Sequence, residues 1–99
     1  MASVLVRHTV ENYEEWKPHF DDHASTREEY GEGGYRLFRV SDDPNELVIL
    51  FEWEGAENAR RFLEDSDLRD VMAEAGVVGE PEVHILDEIE ARTPGQSAA

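Results

Sequence analysis

Apolar and polar residues alternate along four stretches of the chain and recur at helical spacing along two others. From Val4 to Val10, Val4, Val6, His8 and Val10 fall on one face and Leu5, Arg7 and Thr9 on the other, which is the period of a β-strand. Asn12 then offers a side-chain cap to a helix whose inward stripe is Tyr13, Trp16, Phe20, His23 or Ala24, Arg27 and Tyr30, ended by Gly31, Gly33 and Gly34. Pro18 lies inside that helix without a backbone donor, so a kink or a short leading turn over residues 13–16 is predicted. Tyr35–Val40 and Leu47–Glu54 read as two antiparallel strands joined by the turn formers between Ser41 and Glu46. Ala56–Glu64 reads as a helix burying Ala59, Phe62 and Leu63, and Ser66 can cap a short continuation carrying Leu68, Val71, Met72 and Ala75 up to Gly76. After a Gly79-Glu80-Pro81 turn, Val83–Ile89 alternates as the last strand.

The order is β-α-β-β-α-β, an α+β, ferredoxin-like arrangement with a four-stranded antiparallel sheet and both helices on one face. One set of strand residues belongs under the helices: Val4, Val6, His8, Val10, Tyr35, Leu37, Leu47, Ile49, Phe51, Trp53, Val83, Ile85 and Ile89. The opposite set mixes Leu5, Phe38, Val40, Val48, Leu50 and Leu86 with Arg7, Arg36, Glu52, His84 and Glu88. A second apolar face without helices to cover it predicts association, so two sheets are expected to close face to face into a homodimeric α+β barrel, with the charges setting register. Residues 1–91 make the single domain, and residues 92–99 have the composition of a disordered tail.

Charge narrows the partners. The 99 residues carry 24 acidic against 9 basic side chains, a formal charge of -15, which argues against nucleic acid and anionic membrane surfaces as partners. Lys17 is the only lysine and the acidic residues are spread along the chain, a pattern that fits a high-salt, halophilic cytoplasm. With no cysteine, disulfides, thiolate nucleophiles and zinc ribbons are excluded. The start Met1-Ala2-Ser3-Val4 has neither a basic region nor a long apolar run, so no secretion signal or membrane span is expected and the chain reads as cytoplasmic.

Histidines supply the candidate chemistry. His8 interrupts an apolar inward row on a central strand, where an imidazole needs a polar partner. It is either a satisfied core histidine or the titratable group of a ligand cavity between sheet and helices, walled by Tyr13, Trp16 and Trp53 and reached by His23. Two inward tryptophans also serve simply as core. His19 and His23 have the i, i+4 spacing of a metal pair, but no third ligand follows from the sequence, and the expectation is no metal. The Gly31-Glu-Gly-Gly-Tyr run follows a helix and is a cap and turn instead of a phosphate loop.

The chain resembles the antibiotic biosynthesis monooxygenase-like group of the dimeric α+β barrel superfamily. The resemblance spans about residues 3–90 in element order and rests on Val4-Leu-Val-Arg-His8 leading into Tyr13-Glu-Glu-Trp16-Lys-Pro-His-Phe20, on Phe51-Glu-Trp53, and on Glu57-Asn-Ala59-Arg-Arg-Phe62 with Ser66 and Leu68. It implies a face-to-face dimer with a cavity in each subunit, and activities that include cofactor-free oxidation of aromatic polyketides and haem degradation. For the haem-degrading type it implies a polar residue on the first strand, a tryptophan ending the third and a histidine on the second helix. Trp53 matches, His8 replaces the asparagine, and the helix offers Arg60, Arg61, Phe62 and Leu63 with no histidine, so no cofactor is expected. The resulting expectation is a homodimer binding a small aromatic or carbonyl-bearing molecule, with His8 as base or proton relay if it is an enzyme. The alternatives are a non-catalytic ligand-binding or stress-associated module and a metal binder using His19 and His23.

Overall fold

The computed structural model describes residues 2–65 and 67–94, residue 65 by its backbone. The elements run β1 (Ala2–Val10), α1 (Tyr13–Asp22), α2 (Ala24–Glu29), β2 (Glu32–Val40), β3 (Asp43–Trp53), α3 (Ala56–Asp65), α4 (Leu68–Glu74) and β4 (Val77–Leu86). All neighbouring strands pair antiparallel in the order β2-β3-β1-β4, so β1 and β3 are central as the topology predicts. Val4, Val6, Val10, Leu47, Ile49, Phe51 and Trp53 from these two strands meet Trp16, Phe20, Ala59, Phe62 and Ala75 from the helical layer in one buried core. Among the described residues no helix is long and apolar enough to cross a membrane.

Four local expectations are corrected. The first helix breaks at His23, not near Pro18: α1 runs from Tyr13 through Pro18 to Asp22, and α2 follows. Pro18 forfeits one donor, but Trp16 and Phe20 on either side of it are buried and hold the turn, while the Asn12 carboxamide oxygen accepts from the Glu15 N–H at 3.1 Å. The β2–β3 connection is shorter than read, because β3 already starts at Asp43 and the irregular pairing between Arg39 and Val40 absorbs Pro44, Asn45 and Glu46. Gly79-Glu80-Pro81 is not a turn before β4 but a bulge within it. Arg7 pairs with Glu82 and Thr9 with Val78, leaving three β4 residues opposite His8, with Gly79 at a φ of +74°. Finally, β4 ends at Leu86, so Ile89 lies beyond the sheet and is 97% exposed instead of under the helices. Ser66, expected as a cap, lies outside the described residues, as do residues 95–99 of the expected tail; Arg92–Pro94 are exposed and irregular.

Candidate functional site: an aromatic cavity with two buried imidazoles

A cavity of about 50 Å³ lies between the sheet and the helices. The strands contribute His8, Val6, Ile49, Phe51 and Trp53, and the helical layer contributes Trp16, Phe20, His23, Arg27 and Phe62. The period-two alternation of β1 puts His8 on the inward face with Val4 and Val6, and the β4 bulge opposite it loosens the sheet at that point. His8 is 5% exposed, and its Nδ1 has no hydrogen-bond partner. Burial pushes its proton affinity below that of an ordinary histidine, so the ring is neutral at neutral pH. Its ring lies 5.5 Å from that of Trp16, which stacks in turn on Phe20 at 4.9 Å.

His23, at the break between α1 and α2, continues the inward stripe of Trp16 and Phe20 and lines the cavity. Its Nε2 is also buried without a hydrogen bond, standing 3.6 Å from an Asp67 carboxylate oxygen, too far for a hydrogen bond to that group. The ring packs against Phe62 at 5.8 Å. Trp53 is wholly buried, and its indole N–H donates to the Tyr30 carbonyl at 2.8 Å, so this wall is pinned to the end of α2. Gly31 makes that approach possible: at a φ of +112° a Cβ there would stand 3.3 Å from Trp53 Nε1 and 3.2 Å from Glu54 Cβ.

The structure therefore brings together His8, Trp16, His23 and Trp53, four of the five residues read from the sequence. Tyr13 does not line the cavity. It starts α1, its ring packs on Trp16 at 5.9 Å, and the Arg39 guanidinium covers it at 4.8 Å. His19 is exposed while His23 is buried, so the two imidazoles do not face one another across a shared site. Among the described residues no group of three or more His, Asp or Glu side chains is placed to hold a metal ion.

Sequence reasoning missed the charged group in the wall. Arg27, 3% exposed, donates from Nε to Glu32 at 2.5 Å and from Nη1 to the Phe20 carbonyl at 2.7 Å, and its guanidinium lies 4.0 Å from the centre of the Phe20 ring. The signal was present, since a cation in the inward stripe of a helix needs a buried counter-charge. Among the described residues no acidic side chain lines the cavity, and the ionisable groups they place there are two imidazoles and one guanidinium.

On the opposite sheet face, Arg36, Leu50, Leu5 and His84 form one cross-strand row, and Phe38, Val48, Arg7 and Glu82 the next. Arg7 pairs with Glu46 on the adjacent strand, and Glu88 lies beyond the end of β4. Leu5, Val48 and Leu50 are half-buried, while Phe38 and Leu86 are exposed.

A structure from Bordetella bronchiseptica named as a candidate antibiotic biosynthesis monooxygenase superposes with a TM-score of 0.74 at 16% identity, over 90% of this chain and 97% of that one. The fold is that of the antibiotic biosynthesis monooxygenases. SnoaB, a cofactor-independent oxygenase from Streptomyces nogalater, shares this monooxygenase fold with a TM-score of 0.68 at 19% identity, over 95% of this chain and 96% of its own. Rv0793 from Mycobacterium tuberculosis matches it with a TM-score of 0.68 at 16% identity, over 93% and 98% of the two chains. No protein-family model and no curated protein matches the sequence.

Proposed function

We propose that this chain is a homodimeric α+β barrel protein of a high-salt cytoplasm that binds a small aromatic or carbonyl-bearing molecule and oxidises it without a bound cofactor. The observation that carries the reading is the His8 imidazole, its Nδ1 buried without a hydrogen-bond partner, in the wall of a cavity also lined by Trp16 and Trp53. A base of this kind takes a proton from an activated CH₂ beside an aromatic carbonyl, leaving a carbanion stabilised as its enolate. Dioxygen accepts the carbanion's electrons. The peroxide formed on that carbon takes back the proton held by His8; His8 then removes the second C–H proton as the O–O bond breaks, leaving a new carbonyl and hydroxide, which that second proton converts to water. The indole rings hold the substrate plane. The fold shared with a cofactor-independent oxygenase supports this chemistry by analogy.

Dimerisation through the outer sheet face belongs to the same reading. It is supported by the half-buried Leu5, Val48 and Leu50, by exposed Phe38 and Leu86, and by side chains of both signs, Arg7, Arg36 and Glu82, on the same face.

The cavity's size favours a second reading. About 50 Å³ is roughly a third of the ~150 Å³ that admits benzene, so a dimeric module whose interior is simply core also fits. Oxygen uptake with anthrone, an aromatic ketone with an acidic CH₂, separates the two. The oxygenase reading expects conversion to anthraquinone and a loss of about 10²–10⁴-fold in His8→Leu with the dimer intact. Equal rates in the two proteins remove His8 from any role, and a protein that neither binds nor converts aromatic ketones is the structural module.

A further inference from the structure

Outside the inner cavity, a groove of about 440 Å³ runs between α4 and the bulged part of β4, along Val77, Gly79, Pro81 and Val83, with Arg69 and Glu80 at its edge. Leu63, Leu68 and Met72 line both spaces. These three side chains are thus the partition between a small chamber holding His8 and His23 and a much larger one open to solvent.

The other walls are fixed. Trp53 is tied to the Tyr30 carbonyl, Arg27 to Glu32 and the Phe20 carbonyl, and the floor is a hydrogen-bonded sheet. By contrast, α4 has no buried residue, and its capping residue, Asp67, makes no side-chain cap bond. Met72 is unbranched and re-packs at small cost. Any molecule larger than a few waters needs one wall to move, and α4 with its partition is the wall that costs least to move.

We infer that Leu63, Leu68 and Met72 form a gate through which small apolar or aromatic molecules pass from the α4–β4 groove into the His8 chamber, and that Met72 sets the size admitted. The inference rests on the chamber being a ligand site, but it is tested without turnover. Trp16 and Trp53, the only tryptophans, both line the chamber, so their fluorescence reports what enters it.

Trichloroethanol, a small apolar quencher, is the probe, used on the full chain in high salt. Met72→Ala should raise the quenching rate constant about tenfold by populating the open wall, and Met72→Phe should lower it below wild type. Leu37→Ala, on β2 and remote from the gate, controls for general loosening. If it raises quenching as much as Met72→Ala at matched loss of stability, the gate is overturned; unchanged quenching in both Met72 variants overturns it too. A working gate in a protein whose His8→Leu variant oxidises anthrone as fast as wild type refutes the oxygenase and leaves the gate standing.

Discussion

Glu32→Gln removes the counter-charge of Arg27, a residue of the cavity wall, at almost no change in volume, and its cost can be worked out from the packing. The Arg27 guanidinium is 3% exposed and the Glu32 side chain 6%, and they meet at 2.5 Å. Breaking a pair at such burial costs about 3–5 kcal/mol, because the remaining ion stays desolvated without its counter-charge. The Phe20 carbonyl at 2.7 Å, the Phe20 ring at 4.0 Å and the retained amide oxygen of glutamine still stabilise the cation, which places the expected loss at the lower end, about 3 kcal/mol. For a chain of 99 residues that lowers Tm by about 12–24 °C. Urea unfolding in concentrated KCl, followed by tryptophan fluorescence, measures it. The double variant Arg27→Met with Glu32→Gln should recover most of the loss, since both charges are gone and a methionine fills the space. A loss below about 1 kcal/mol for Glu32→Gln, or a double variant no more stable than the single, would refute the reasoning.

Two further outcomes follow from the same structure. Leu5 and Leu50 face one another across β1 and β3 on the outer sheet face, so Leu50→Glu should convert a dimer to monomers in sedimentation at high salt; an unchanged sedimentation coefficient places the interface elsewhere. Burial lowers the proton affinity of His8, so the folded chain binds fewer protons there than the unfolded chain, whose histidine titrates near 6.5. The stability that a neutral His8 contributes is therefore present above that pH and lost as pH falls through the folded value. His8→Leu should lose less stability than wild type between pH 7.5 and pH 5 in urea titrations, and parallel losses in the two proteins would contradict this.

Much of the architecture was legible because it depends on periodicity. The alternation in β1 and β3 assigned every residue from Val4 to Val10 and from Leu47 to Trp53 to its face, and spacings of three and four placed Trp16, Phe20, His23 and Arg27 inward. Strand ends were less legible, since Gly79-Glu80-Pro81 has turn composition but folds as a bulge once β1 is there to pair on both sides of it. The Arg27–Glu32 pair joins α2 to β2 across the turn, and nothing in local spacing says that those two side chains meet. Tyr13 was placed in the cavity because it shares the helical stripe, yet it sits at the first position of α1, where its ring packs beside Trp16 instead of beneath it. The cavity's volume depends on side-chain packing across layers and has no sequence signature at all.

The central claim is that His8, which lines the cavity, acts as a neutral base through an Nδ1 buried without a hydrogen-bond partner. Imidazole ¹⁵N chemical shifts of His8, assigned by comparison with His8→Leu and followed from pH 8 to pH 4, test it directly. The account predicts a neutral ring at pH 7, a midpoint below 6.5, and a shift of the Nδ1 resonance when an aromatic ketone is added. A midpoint at or above 6.5, or an Nδ1 resonance unmoved by any such compound, would contradict it.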